Sequence, residues 1–541
     1  MNAPKITRRV VLQGTSAAAL TALLAACAPQ KKDGDKPGAT PSGTFSAQEI
    51  DELVVAIPAT LSSLYPGSEA GNFNYYVAAL VAEGLVAPDG TGKLVPALAE
   101  SWEQTSPTTY VYTIRQDAAF SDGTPMTVDD VVYSINLARS DKASPNIAYY
   151  WANTKDVKAT GDNQVTITLA SPDVAFEWGP CAANALWITS KAYVEAHDGQ
   201  LGTVDALLMG TGPYKVTKFE PDSTVELERV DTWWGGTPPV AKIRIDFISE
   251  ESTRLLARRS GDIDMAMAIS LDQAQQWEDT PDTAVQFAPD RSFVCIDFNT
   301  AVEPFDDIHV RRAIAMCADR QAYVDKLLGG HGEIATALTT PQQIEAAVGG
   351  EDAARAKLAE VTDLSYDLEA AKAELAQSKV PDGFSAKVGV STSAPQISQA
   401  FQALAQITEQ IGITIEVKEM PVEKWYGTIG SPDWGLAYMW YFNATGDPAE
   451  LSSWFLADGN PASYSNDTVA DLMQQQREET DPAKRVDLIV ELQKTAMADL
   501  PYYPLWWGEA ATAINDTYTI DEFGSYTFLS PWAGRILTKD A

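Results

Sequence analysis

Along most of this chain, short segments with a two-residue apolar period alternate with segments whose apolar residues recur every three or four positions. That alternation restricts the fold to α/β architecture. Tyr110, Tyr112 and Ile114 alternate with Val111, Thr113 and Arg115, which reads as a strand, and Leu53–Ala59 and Val165–Leu169 read likewise. Tyr214–Glu220 and Thr224–Val230 form a hairpin about Pro221-Asp222, followed by Trp233-Trp234 at the Gly235-Gly236 turn. Asn74–Leu85 reads as a helix. Thr127 is placed to cap another, with Asp129 and Asp130 in its first turn. Strand Ala241–Ser249 leads to a short helix capped by Ser252 and stopped by Gly261, and then to strand Ile263–Ala268. After strand Phe293–Phe298, Val310, Ile314, Cys317, Val324 and Leu328 predict one helix face. Val388–Val390, helix Ile397–Ile411, Gly412 and strand Ile413–Val417 predict a right-handed β-α-β unit.

The first residues stand apart from this pattern. Arg8-Arg9 precedes an apolar, Ala-rich run that closes on Leu24-Ala25-Ala26-Cys27, the order of an export signal. The ending resembles a bacterial lipobox, which implies cleavage before Cys27 and a lipid on its sulfur. The two arginines resemble a twin-arginine signal but also suit a general secretory one, so both routes stay open. The Pro-, Gly- and Lys-rich stretch that follows, up to residue 45, has little to bury and reads as a flexible tether. No later run is apolar enough to span a bilayer. The body from 46 to 541 is too long for one hydrophobic core, and two or three domains are expected.

Composition excludes several classes. The formal charge is −35, and the export segment removes only cations, Lys5, Arg8 and Arg9, so the body is strongly acidic and lacks the basic footprint of a nucleic-acid binder. Cys181, Cys295 and Cys317 are too few and too widely spaced for a disulfide framework or a zinc site; buried thiols are expected, with one bridge left open. His197, His309 and His331 show no ligand spacing, so no metal or cofactor is expected. No phosphate loop, nucleophile elbow or zinc-protease helix occurs. The acidic pairs Asp129-Asp130 and Asp306-Asp307 suit helix starts.

The remaining constellation is aromatic. Trp434, Tyr438, Trp440, Tyr441 and Phe442 crowd one segment, followed by Asn443 and Asp447-Pro448, while Tyr502, Tyr503, Trp506 and Trp507 crowd a second. In a strand, Tyr438, Trp440 and Phe442 share one face and Tyr441 and Asn443 the other. One such set suits a ligand cleft.

With these residues in view, the body resembles the extracytoplasmic solute-binding proteins of family 5, the peptide, dipeptide and nickel binders of ABC importers. "LVPALAESWEQ", "FSDGTPMTVDDVVYSI", "GTGPYKV" with "WWGG", "STRLLARRSGDIDMA", "FNTAVEPFDDIHVRRAIAMCADRQAY", "SYDLEAAKAELAQSKVPDGF" and "GDPAEL" carry the resemblance in order. It implies a periplasmic-binding-protein-like type II α/β fold, two lobes with an additional small α/β domain. The implied layout is an export signal over 1–26 and a lipid-anchored tether over 27–45. Domain I follows from 46–85, 206–298 and 505–541, domain II from 86–205 and domain III from 299–504. It also implies capture of a peptide or similar small solute between domains I and III, closure, and delivery to an ABC permease with its ATPases, by a monomer that is not an enzyme. Asn72, Phe73, Trp440, Tyr441, Phe442, Asn443, Asp447 and Trp506 fall at or near its ligand-binding positions, and the Trp233-Trp234 turn is framework. Binding of an oligosaccharide or another non-peptide solute on the same scaffold is the alternative; an anchored hydrolase would need a nucleophile or carboxylate pair that is not apparent.

One departure bears on specificity. Peptide-binding relatives hold the ligand's α-ammonium with an aspartate three residues before the acidic residue of the Asp/Glu-Pro pair, and Ala444 stands there. The departure predicts that a free α-amine is not the main anchor. Backbone pairing along Tyr441–Asn443 and stacking on Trp440 or Trp506 would dominate, with Asp447 the only nearby carboxylate to substitute.

Overall fold

The computed structural model describes residues 43–540 apart from Ala70 and Asp363. The expected export signal, Cys27 and most of the tether lie outside the described residues. Among the described residues, no helix is long and apolar enough to cross a membrane.

A mixed ten-stranded sheet organises the body. Its order runs Leu436–Phe442, Ser292–Phe298, Tyr502–Asn515, Met265–Ala266, Leu53–Ile57, Lys242–Phe247, Thr224–Arg229 and Tyr214–Glu220, with Thr283–Pro289 and Gly332–Ile334 also paired to Tyr502–Asn515. Tyr502–Asn515 is shared by both halves. Its beginning pairs with Ser292–Phe298, and its end with Thr283–Pro289 and Met265–Ala266. A separate four-stranded antiparallel sheet has the order Ala99–Ser106, Thr109–Ile114, Gln164–Leu169, Thr154–Gly161.

Local signals explain most elements. Thr127 and Asp130 form a reciprocal capping box: the Thr127 hydroxyl accepts the Asp130 N–H at 3.3 Å and the Asp130 carboxylate accepts the Thr127 N–H at 3.0 Å. Asp307 caps Ile308–Ala315 through the His309 N–H, so both acidic pairs open helices as their neighbours suggested. Strands Phe384–Ser391 and Ile413–Met420 pair in parallel around helix Pro395–Thr408, which gives the expected β-α-β unit. The hairpin forms as Tyr214–Glu220 and Thr224–Arg229, with Asp222 in the left-handed region at φ 60°.

Four expectations are corrected. The helix face over 310–328 is two helices, Ile308–Ala315 and Arg320–Leu327, because the Asp319 carboxylate accepts the Ala322 N–H and starts the second. The apolar period survives the break because Val310, Ile314, Cys317 and Val324 enter one core. The helix read as Asn74–Leu85 runs from Asn72 to Val81. Beyond it, Gly84 passes so close to another segment that a Cβ there would lie 2.5 Å from the Ala182 nitrogen. The helix expected to start at Ser252 is Glu251–Ser260, with Glu250 at its N-cap position. Strand Ile263–Ala268 shortens to Met265–Ala266.

Alternation along Ser292–Phe298 divides the neighbouring core in two. Val294, Ile296 and Phe298 face one cluster, with Ile314, Phe401 and Tyr438, while Phe293 and Cys295 face another, with Phe455, Val490 and Tyr502. All three described cysteines are buried and free, so no bridge forms among them. Burial pushes the Cys181 and Cys317 thiols up to about 12.

Trp233 and Trp234 bear out the framework reading. Their indole N–H groups donate to the same Glu83 carboxylate oxygen at 3.4 and 3.0 Å, and the Arg115 guanidinium lies 3.2 Å from the Trp234 ring centroid. Burial pushes the Glu83 carboxyl up to about 7 against these donors.

Candidate ligand-binding site

A cavity of about 960 Å³ is lined on one side by residues between Tyr149 and Asn184 and on the other by residues between Trp425 and Arg477. Its size falls within the usual range for small-molecule sites, roughly 300–1,000 Å³. Tyr149, Tyr150, Trp440, Tyr441 and Trp454 give it an aromatic wall. Across it, the Tyr149 and Trp454 rings meet edge to face at 5.6 Å, and Trp454 in turn lies 5.8 Å from Tyr441.

Trp440 and Tyr441 come from Leu436–Phe442, the end strand of the sheet. Asn443 N–H donates to the Arg291 carbonyl at 2.9 Å, which makes Asn443 and Arg291 a hydrogen-bonded pair. In an antiparallel ladder such pairs alternate. With Phe442 opposite Ser292 and Trp440 opposite Val294, the backbone N–H and C=O of Phe442 and Trp440 therefore point away from the neighbouring strand. An extended ligand finds donors and acceptors there.

The other expected site residues are distributed as follows. Phe442 packs on Trp440 with centroids 5.2 Å apart. Asn443 is buried, its backbone carbonyl takes a hydrogen bond from Arg291, and both polar atoms of its side chain lack a partner among the described residues. Asn72 and Phe73 form the first turn of Asn72–Val81, where Phe73 meets Tyr76 edge to face at 5.4 Å; neither lines the cavity. Trp506 is buried in the core against Tyr323, at 6.1 Å, and does not line the cavity.

Asp447 lines the cavity, but its carboxylate is occupied. Arg485 donates to it at 2.6 and 2.9 Å, and the same guanidinium bonds the Gln476 side-chain oxygen at 2.9 Å. The notion of Asp447 as a free carboxylate for an amine is thereby corrected.

The carboxylate that sequence reasoning missed is Glu450, which lines the cavity and is 8 % exposed. It opens the short helix Glu450–Phe455, three residues after Asp447. Its oxygens accept the Ala444 N–H at 2.9 Å, the Thr445 N–H at 2.7 Å and the Thr445 hydroxyl. Burial pushes its carboxyl up to about 7 and these donors pull it back. The signal available in the sequence was an acid one helical turn past an Asp-Pro start, the same pattern as an unremarkable helix opening.

The histidines have local partners: His309 meets Glu374 at 2.6 Å, His331 meets Glu509 at 3.0 Å, and His197 meets the Tyr193 carbonyl at 2.8 Å.

The fold is that of the type II periplasmic binding proteins. The substrate-binding protein CtaP of Listeria monocytogenes superposes with a TM-score of 0.77 at 18% identity, covering 91% of this chain and 100% of that one. DppA of Helicobacter pylori, solved with the peptide STSA, superposes at 0.76 with 21% identity, covering 91% and 99%. Residues 93–463 match the family model described as "Bacterial extracellular solute-binding proteins, family 5 Middle", and the chain belongs to that family. Among its relatives, the glutathione-binding protein GsiB of Escherichia coli is 25% identical over 510 residues, covering 90% of this chain and 91% of GsiB. Protein XP55 of Streptomyces lividans is 27% identical over 479 residues, covering 85% and 83%. The protein is therefore a solute-binding protein and not an enzyme.

Proposed function

We propose that this protein captures a peptide or similar small solute outside the cell membrane and delivers it to an ABC permease and its ATPases. The observation that carries the reading is the sheet's end strand, whose Trp440 and Phe442 backbone groups point outward beside an aromatic cavity. Backbone pairing supplies affinity without regard to side chain, and aromatic walls supply contact area. A relative named for glutathione and a structural neighbour solved with a peptide are consistent with that ligand class.

Closure follows in this reading. Lobes from 46–85, 206–298 and 505–541 on one side and 299–504 on the other, with 86–205 as the added domain, move about Pro289–Arg291 and the shared strand Tyr502–Asn515. Ligand drives closure only through contacts unique to the closed state, because equal affinity for both states shifts nothing. A monomer tethered through lipid on Cys27, after removal of 1–26, presents the closed form to the permease.

Calorimetric titration with di- to pentapeptides and with oligosaccharides of matched length tests the ligand class. Saturable peptide binding, weakened tenfold or more by Trp440→Ala, is expected. Binding of the sugars alone would overturn it.

A further inference from the structure

Large apolar side chains left exposed together mark a place where something is handled. Among the described residues six are exposed, and three of these, Tyr149, Tyr426 and Trp454, line the same cavity. Two of the three touch each other across it. Tyr149 belongs to one wall and Trp454 to the opposite one, and their rings meet edge to face at 5.6 Å. Tyr150 continues the row behind Tyr149 at 4.1 Å, and Tyr441 behind Trp454 at 5.8 Å. The four rings therefore bridge the cavity from wall to wall, and rings in van der Waals contact leave no passage between them.

The two touching rings ride on short elements with firmly held neighbours. Tyr149 belongs to the four-residue 3-10 turn Ala148–Trp151, where the buried Trp151 indole N–H donates to the Ala185 carbonyl at 3.0 Å. Trp454 belongs to helix Glu450–Phe455, where the buried Phe455 packs edge to face on Phe293 and Tyr502. Tyr149 and Trp454 themselves are 46 % and 44 % exposed. Either can change rotamer without unpacking the turn that carries it. A contact between two protein rings is complete without any ligand atom. It favours the barred cavity equally whether solute is inside or outside, so it governs entry and exit rates and leaves affinity alone.

We infer that Tyr149 and Trp454 are a gate on the solute cavity, two rings that part to let solute pass and meet again behind it. The inference rests on the reading of this cavity as the solute site. Its test uses no solute, so failure of the gate and failure of that reading are separate results.

The test is the labelling of a thiol placed inside the cavity. Ala449 is buried and lines it, and the three native thiols are buried elsewhere. Ala449→Cys therefore gives N-ethylmaleimide a new target that it reaches by way of the cavity. Mass spectrometry follows modification of Ala449→Cys alone and combined with Trp454→Ala, Tyr149→Ala or both, with the unsubstituted protein as background. Loss of the edge-to-face pair should speed labelling by roughly three- to tenfold. Removing the second ring should add little, because the contact is already gone. Trp454→Phe keeps an aromatic partner, and Tyr426→Ala removes a ring that meets Trp425 instead; both should label at the parental rate. Unchanged labelling in both single alanine variants would overturn the gate. Accelerations that multiply in the double variant would overturn the ring pair as its mechanism. Equal acceleration by Tyr426→Ala would overturn it in favour of simple bulk at the wall. If Ala449→Cys does not fold, Ala175→Cys on the opposite wall takes its place, with the same outcomes.

Discussion

Replacing Asp297 by asparagine should change how stability depends on pH. Asp297 sits in strand Ser292–Phe298, neither carboxyl oxygen has a hydrogen-bond partner among the described residues, and desolvation alone pushes its carboxyl up to about 8. In the unfolded chain an aspartate titrates near 3.9. Between about pH 4 and pH 8 the native state therefore holds a proton that the unfolded state has lost. The sign follows from linkage: where the native state binds more protons, stability falls as pH rises, by about 1.4 kcal/mol per unit for one group. The favourable contribution is complete below about pH 4 and lost progressively up to about pH 8, so roughly 4 kcal/mol disappears between about pH 4 and pH 7. An asparagine side chain there does not titrate, and its own unpaired amide adds only a constant offset. Denaturant unfolding of wild type and Asp297→Asn, followed by tryptophan fluorescence at several pH values, gives the variant-minus-wild-type difference. That difference should rise in the variant's favour by several kcal/mol from about pH 4.5 to pH 7.5. A flat difference would refute the reasoning, because it would mean that Asp297 titrates alike in both states.

Other perturbations test other parts of the account. Arg485→Met leaves Asp447 buried without its partner and should cost about 3–5 kcal/mol in denaturant unfolding, while Asp447→Asn, which keeps an oxygen facing the guanidinium, should cost clearly less. Equal costs would argue against the pair. Glu83→Ala orphans the Trp233 and Trp234 indole N–H groups and should destabilise by about 1–3 kcal/mol, with Glu83→Gln milder because its amide oxygen still accepts; two neutral variants would remove the carboxylate from the framework. Cys27→Ser should release the protein into the medium or leave it unprocessed, and membrane association and cleavage identical to wild type would reject the lipid anchor.

What was legible in the sequence was what depends on neighbours in the chain. The Thr127–Asp130 box, the hairpin at Asp222 and the β-α-β unit around Pro395–Thr408 each follow from residues within one or two turns of each other. Breaks were harder to read. The step between Ile308–Ala315 and Arg320–Leu327 leaves the apolar period intact, since both helices face one core. The site was legible as a segment and not as a set of roles. Trp440 and Trp506 occur in similar aromatic strands, yet one lines the cavity and the other packs on Tyr323, a distinction made by sheet order. Asp447 and Arg485 lie 38 residues apart. Only the fold shows that this carboxylate is occupied by Arg485.

The central claim is that ligand adds itself to the free edge of Leu436–Phe442, and residue-resolved amide hydrogen exchange tests it. Before ligand, the Tyr441 and Asn443 amides, directed at the neighbouring strand, should be protected, and those of Trp440 and Phe442 should exchange faster. Saturation with a peptide that binds by calorimetry should slow exchange at Trp440 and Phe442. Binding of that peptide with no change at either amide would contradict the account.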